Sequence, residues 1–267
     1  MLALLLTAPQ AEAAFEQVPH GARAVGLGGA TVSVQGDPWA PFANPSCLSG
    51  ARGTSIAAAY LPALFGMWEL KRGAFSLTST APIGTFALSM SGFGFDLYRE
   101  ISAGLAAAHE LTDRVALGIG VNLYSLAIQG YGSDLAIGVD IGMLAHVTEE
   151  VSYGVTFRNV NRPSIGKGRE ALPQTMAMGI SVCPLPNALV ALSARKDSHY
   201  PFELCIGLEY SLEHVVALRL GAANEPSTIA AGIGMRTSML SMDYAYTIHP
   251  DLGGTHCFSL CYALPWP

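Results

Sequence analysis

The sequence predicts an all-β fold: a transmembrane antiparallel β-barrel of about fourteen strands with an N-terminal plug segment in its lumen. Three observations lead there. Charged residues are only 13% of the 267, about half the share usual in soluble domains, and too few to cover the wet face of a soluble sandwich. Large apolar residues alternate with small or polar ones, as at Val115, Leu117, Ile119, Val121 and Leu123, and again at Leu135, Ile137, Val139, Ile141 and Met143. A period of two marks strands. Beyond the N-terminus the sequence has no run of about 20 apolar residues that would cross a membrane as a helix. Strands in a bilayer must close into a barrel, because an open edge leaves backbone groups unpaired in hydrocarbon.

Residues 1–14 read as the remnant of a signal peptide. The apolar Leu2 to Leu6 precede the small-residue site Ala11-Glu12-Ala13, which implies export. Residues 15–53 break the strand pattern and form the expected plug. Gly26, Gly28 and Gly29, the turn at Asp37-Pro38 and the pair Asn44-Pro45 describe a bent segment too apolar for a solvated tail. It enters the barrel from the periplasmic side, with Gly26, Gly28, Gly29, Asp37, Asn44 and Pro45 as candidate plug or gate residues. The run Gly26-Leu27-Gly28-Gly29 is no dinucleotide fingerprint: its spacing is wrong and no βαβ unit follows.

The barrel is expected over residues 54–267. Its candidate strands are 54–62, 68–78, 83–93, 97–110, 115–129, 134–147 and 151–161, then 174–184, 187–197, 200–211, 214–223, 227–237, 239–248 and 255–264. Alternate connections differ in kind. Those at 79–82, 112–114, 148–150, 184–186, 212–213 and 237–238 are short, while 94–96, 130–133, 162–173, 197–200, 221–226 and 249–254 are mostly longer and richer in glycine and proline. Short periplasmic turns opposite longer outer loops are the asymmetry of an outer-membrane barrel, and an even strand number suits one.

Facing follows from the alternation. The lipid rows include Val151, Tyr153, Val155 and Phe157; Met176, Met178 and Ile180; Phe202, Leu204, Ile206 and Leu208; and Phe258, Leu260, Tyr262 and Leu264. Tyr153, Tyr210 and Trp266 are placed to join an interfacial aromatic girdle. Charges fall on the opposite, lumen-lining face: Asp140, Arg158, Arg195, Glu203, Glu209, Arg219, Arg236 and Asp243. Turn geometry predicts that Arg195 pairs with Glu203 and Arg236 with Asp243. A charge on the lipid face costs about 2–4 kcal/mol at the midplane, so Val139→Arg is expected to block assembly and Asp140→Asn to be tolerated.

Other chemistry is thin. The net charge of −6 and the lack of a basic stripe exclude nucleic acid as a partner. Cys47, Cys183, Cys205, Cys257 and Cys261 have no framework spacing and read as small fillers of the inner face. No nucleophile elbow, zincin motif or phosphate loop occurs. His249, Asp251 and His256 cluster near one rim, but a loop histidine is usually polar surface. No enzyme activity, metal or cofactor is expected.

The run G-A-R-A-x-G-x-G-G-A at 21–30, followed by D-P-x-A-x-x-x-N-P at 37–45, resembles the N-terminal segment of the FadL-like outer-membrane barrels. The end of the chain, DYAYTIHPDLGGTHCFSLCYAL at 243–264, resembles the close of the PorV/PorQ-type branch. The resemblance implies a fourteen-stranded barrel with an N-terminal plug, located in the bacterial cell outer membrane. It also implies one of two roles. FadL members pass hydrophobic compounds and release them through a lateral gap in the wall. PorV and PorQ members serve type IX secretion, holding secretion-system or surface proteins without transporting small molecules. The expected partners are therefore outer-membrane lipid and either a small hydrophobic substrate or such proteins.

Overall fold

The structure, a computed structural model, describes residues 14–166, 169–198 and 200–264. Most of the leader expected over residues 1–14, and Trp266 of the expected girdle, lie outside the described residues.

Strands β1 (Thr54–Leu61), β2 (Arg72–Ala81), β3 (Gly84–Gly94), β4 (Tyr98–Thr112), β5 (Val115–Ile128), β6 (Gly132–His146) and β7 (Val151–Arg158) make the first half of the wall. A small hairpin, β8 (Ser164–Ile165) and β9 (Glu170–Ala171), interrupts it. The wall resumes with β10 (Thr175–Leu185), β11 (Ala188–Asp197), β12 (Phe202–Leu212), β13 (Val216–Asn224), β14 (Ser227–Arg236), β15 (Leu240–His249) and β16 (Gly253–Leu264). Each wall strand pairs antiparallel with its neighbours. β16 returns to β1, from Thr54 opposite Leu264 to Tyr60 opposite Phe258, closing a fourteen-stranded barrel. No helix among the described residues is long and apolar enough to cross a membrane.

The alternation sets the facing as expected. Leu117, Ile119, Val121 and Leu123 on β5, and Leu135, Ile137 and Ile141 on β6, are exposed on the outer surface. Ala116, Ala136, Asp140 and Leu144 are buried within. A one-residue slip would turn every one of these side chains to the wrong side, so the apolar row itself holds the register.

Several boundaries depart from the sequence reading. The second strand begins at Arg72 rather than 68, because Trp68–Leu70 form a 3-10 turn. That strand then continues to Ala81, so the hairpin turn is Pro82-Ile83, with Ala81 opposite Gly84. Proline cannot donate to the ladder and falls in the turn, and Gly84 takes φ +139°. β7 stops at Arg158 rather than 161, where Asn159 turns the chain with φ +53°. Most connections at the loop end are as tight as those at the turn end. Only 62–71 and 159–174 are long, so the loop asymmetry is narrower than expected.

Inside the barrel lie α1 (Ala22–Gly26), α2 (Ala40–Ala43) and a 3-10 turn, Pro45–Gly50. The segment joins β1 at the turn end, and its first described residues reach the loop end. There Phe15 meets Tyr124 edge-on at 4.9 Å, beside Leu126, Ala136, Ile165 and Leu172. These short helices are stabilised by the wall rather than by their own length, since isolated helices of four or five residues do not persist.

Candidate functional site

The plug lies against glycines on the inner wall. A Cβ at Gly118 of β5 would stand 2.2 Å from Ser46 N, and one at Gly142 of β6 would stand 2.0 Å from Asn44 Oδ1. These two glycines face each other in register. Gly154, Gly207 and Gly221 are similarly covered, by Val32 O, Leu27 O and Gly28 N. A strand normally loses stability through glycine. Here the missing side chains are the space the plug occupies.

Each candidate plug residue has a defined place. Gly26 touches Arg219 Cβ and Gly232 Cα, both at 3.3 Å from its virtual Cβ. Gly28, at φ +62°, lies on the Ala222 backbone, where a Cβ would fall 2.6 Å from the amide nitrogen. Only glycine meets both the left-handed backbone and that approach. Gly29 also has positive φ, at +84°. Asn44 is fully buried and caps the 3-10 turn. Its Oδ1 accepts from Ser46 N (3.1 Å) and Ser46 Oγ (2.7 Å), and its Nδ2 donates to Val32 O (2.8 Å) and Met143 O (3.4 Å). Pro45 is buried beside it. Asp37 accepts from Trp39 N at 2.9 Å and pairs with Arg23.

Arg23 was not singled out from the sequence, yet it is the main electrostatic tie between plug and wall. Its Nε and Nη2 grip Glu209 at 2.8 and 2.7 Å, and its Nη1 reaches Asp37 at 3.3 Å. Burial opposes its charge, but Glu209 and Asp37 outweigh burial and hold its pKa above the ordinary value. Glu209 also accepts from Arg219, which donates to Asp243 at 2.7 Å. The sequence carried one signal: Arg23 is the lone lysine or arginine between residues 15 and 50. A single guanidinium in an apolar luminal segment requires a carboxylate on the wall.

This network corrects one predicted pair. Arg236 stands opposite Ser241, while Asp243 lies deeper, opposite Gly234. Gly232 and Gly234 leave room for Arg219 to cross β14 and take Asp243 instead. The other predicted pair is present: Arg195 and Glu203 are register partners joined by a salt bridge.

Asp140 is the centre of a second network. It is 1% exposed and accepts from Asn122 Nδ2 (2.9 Å), Arg158 Nε (3.0 Å) and Asn159 N (2.9 Å). Arg158 Nη1 in turn donates to Phe42 O of the plug at 2.9 Å. Asp140→Asn is therefore still expected to permit assembly, but at a cost in stability. The amide cannot pair with Arg158, and a broken buried pair costs about 3–5 kcal/mol. Asp140→Asn is expected to lower the urea midpoint of the assembled barrel, whereas Val139→Arg, on the lipid row, is expected to prevent assembly. Equal midpoints for wild type and Asp140→Asn would contradict this assignment.

The same region breaks the wall. β6 pairs with β7 only from Ile141–Phe157 down to His146–Ser152, although it pairs with β5 along its whole length. Above Ile141 its free edge is met by side chains of the connection 159–174. Asn161 Oδ1 accepts from Val139 N (2.9 Å), and its Nδ2 donates to Ile137 O (2.8 Å). Asp134 Oδ2 accepts from Gly166 N at 2.7 Å. The result is a notch in the rim, closed by a backbone bond from Val160 N to Val139 O (2.9 Å) and by side chains of the loop and of β6 instead of a strand.

Beneath the notch lies a luminal cavity of about 60 Å³, lined by Phe15, His20, Arg72, Glu100, Tyr124 and Arg158 among others. A second, of about 40 Å³, lies between the plug and β10–β12. Each holds only a few waters, so the plug fills most of the bore. His20 stacks flat on Phe42 at 4.0 Å and stays neutral: burial, then Arg72 and Arg158, push its pKa down to about 3.

The remaining candidates disperse. His249 Nδ1 accepts from Asp251 N and Leu252 N, closing a turn, while His256 bonds Tyr244 on the outer face. Among the described residues no cluster of three or more His, Cys, Asp or Glu side chains could hold a metal. Cys205 and Cys257 are buried inner-face fillers and Cys261 is half-buried, but Cys47 belongs to the plug. Cys183 is exposed, at the turn end of β10 where the register shifts between Val182 and Leu185.

No protein-family model matches the sequence, and no curated protein matches it. Solved structures do. The CymD monoaromatic hydrocarbon channel superposes with a TM-score of 0.72 at 14% identity, covering 95% of this chain and 100% of that one. The Ralstonia pickettii toluene transporter TbuX gives 0.71 at 13% identity, covering 94% and 100%. A Pseudomonas aeruginosa FadL homologue gives 0.64 at 14%, covering 92% and 99%. At such identities the likeness establishes architecture: this chain shares the barrel fold of those three structures.

Proposed function

We propose that the chain is a bacterial outer-membrane channel that passes small hydrophobic molecules. The observation that carries this reading is the notched wall beside a plug that adds no strand to the barrel. A molecule entering at the loop end meets the apolar cluster around Phe15 and Tyr124. The plug below, with Gly26, Gly28, Gly29, Asp37, Asn44 and Pro45 at its turns, bars the straight path to the periplasm. The closure at Asn161 and Asp134 covers the longest gap in the ladder, since β6 has no strand partner on this side from Gly132 to Asp140. Release sideways into the membrane suits an apolar cargo, which gains by entering hydrocarbon. The names of the structural neighbours, monoaromatic hydrocarbon channel and toluene transporter, support cargo of that class. The charged lumen residues stabilise the plug in this scheme, and no chemical step or cofactor enters it.

Deleting the gene and measuring uptake of labelled toluene and a labelled long-chain fatty acid tests the proposal. At limiting concentration, uptake of at least one is expected to fall severalfold and to return on complementation. Unchanged uptake of both, with secretion or surface proteins recovered from crosslinked envelopes, would instead support the PorV/PorQ-type anchoring role.

A further inference from the structure

The small-residue site Ala11-Glu12-Ala13 is a sequence motif that the channel reading leaves unused. The first described residue, Ala14, follows it directly. Ala14 and Phe15 pack against Tyr124, Leu126, Ala136, Ile165 and Leu172 at the loop end of the lumen. Phe15 is pinned there. Its φ of +60° is a conformation that a bulky residue rarely adopts, and its ring meets Tyr124 edge-on at 4.9 Å. Its N–H donates to the Glu100 carboxylate on β4.

Glu100 is 7% exposed and accepts from Tyr98 Oη at 2.6 Å. Among the described residues it belongs to no ion pair. The guanidinium of Arg72 acts on it only from a distance and lies over the Phe93 ring at 4.8 Å. Exposed Glu16 and Glu170 add negative charge around the same site. A buried carboxylate without a cation is costly. Backbone geometry puts the Ala14 nitrogen within about 4 Å of the Phe15 nitrogen that already bonds Glu100. As an amide that nitrogen is neutral. As a chain terminus it is the missing cation.

We propose that a leader peptidase cuts between Ala13 and Ala14, and that the new α-ammonium of Ala14 pairs with Glu100 inside the lumen. The amide C–N bond breaks, the oxygen of water joins the Ala13 carbonyl carbon, and both its protons end on the Ala14 nitrogen. The products are a carboxylate at Ala13 and an ammonium at Ala14. The cut falls one residue before the boundary expected from the sequence, because Ala14 belongs to the fold. Processing thereby supplies the charge that holds the first turn of the plug. The inference depends on the exported barrel and not on any cargo.

The test uses the full chain, tagged at its C-terminus and purified from the outer membrane of its own host. N-terminal sequencing and intact mass are expected to show Ala14 as the first residue. The pH midpoint of its α-amine is then read from the rate of acetylation by N-hydroxysuccinimidyl acetate, followed on the Ala14 peptide by mass spectrometry. In the wild type the midpoint is expected to lie at least one unit above the value of about 7.7–8.0 for a free α-amine. Glu100→Gln keeps an acceptor for Tyr98 and Phe15 but not the charge, so the midpoint is expected to fall by about one unit, a tenfold loss of proton affinity. Heat-modifiable electrophoretic mobility confirms that the variant barrel is assembled. A mature chain that begins at another residue would overturn the cleavage site. An unshifted midpoint in the wild type, which decides even where Glu100→Gln does not assemble, would overturn the ion pair. So would a raised midpoint that persists in assembled Glu100→Gln.

Discussion

Gly118→Val is expected to dislodge the plug while leaving the barrel closed. The virtual Cβ at this position falls 2.2 Å from Ser46 N and 2.4 Å from Pro45 C. Both are backbone atoms of a buried corner, so no side-chain rotation relieves the clash. The corner cannot shift sideways either, because Asn44 is seated over Gly142 on the adjoining strand. The strand itself has no reason to move: Leu117 and Ile119 remain on the outer row, and its ladders to β4 and β6 are complete. Overpacking of this kind costs about 1–3 kcal/mol where neighbours yield, and more where only backbone is met. Protease cleavage within residues 15–53 is expected to quicken about tenfold, the factor that roughly 1.4 kcal/mol of plug opening supplies. Planar-bilayer conductance is expected to rise with it. Gly73→Val, where the added Cβ meets nothing within 4 Å, is the control. Unchanged protease resistance and conductance in Gly118→Val would mean that the glycine seat does not hold the plug.

The two faces of the wall were unequally legible in the sequence. Lipid demands one chemical character along each outer row, so Leu117 to Leu123 and Leu135 to Met143 announce their orientation through period two alone. The inner row answers to whatever it touches. Its glycines gave no sign of which plug atom covers them, because Gly118 and Ser46 are joined by the fold and not by any local pattern. Charge pairing divides in the same way. Arg195 and Glu203 face each other across one tight turn, where residue counting suffices. Asp243 finds Arg219 two strands away, and Arg219 reaches it only because Gly232 and Gly234 clear the path. The notch was hidden for a different reason. Alternation continues smoothly through Val139, and the break comes from Asn159, whose left-handed backbone ends β7 early. Asparagine tolerates that conformation better than most residues, so the run Asn159-Val160-Asn161 was the available sign.

Arg23→Ala should weaken the plug's hold without touching its shape complementarity to the wall. Arg23 supplies a two-point grip on Glu209 and the contact to Asp37, in a chain that runs from Asp37 through Arg23, Glu209 and Arg219 to Asp243. With arginine present, two cations face three carboxylates. Without it, one cation faces three. Removing one member of a buried ion network costs about 3–5 kcal/mol, because the partners are left desolvated and unpaired. The cost falls on the plugged state, since a displaced plug lets Asp37 and Glu209 reach water. The variant is therefore expected to show a leaky bore, with higher bilayer conductance and faster cleavage in residues 15–53, while the barrel keeps its heat-modifiable mobility. Arg23→Lys separates charge from geometry. Its ammonium restores the charge but cannot span both Glu209 oxygens as a planar fork does, so recovery of plug retention should be partial. Full recovery would make the bidentate geometry irrelevant. A leak no greater than wild type in Arg23→Ala would show that the glycine-lined seat alone retains the plug.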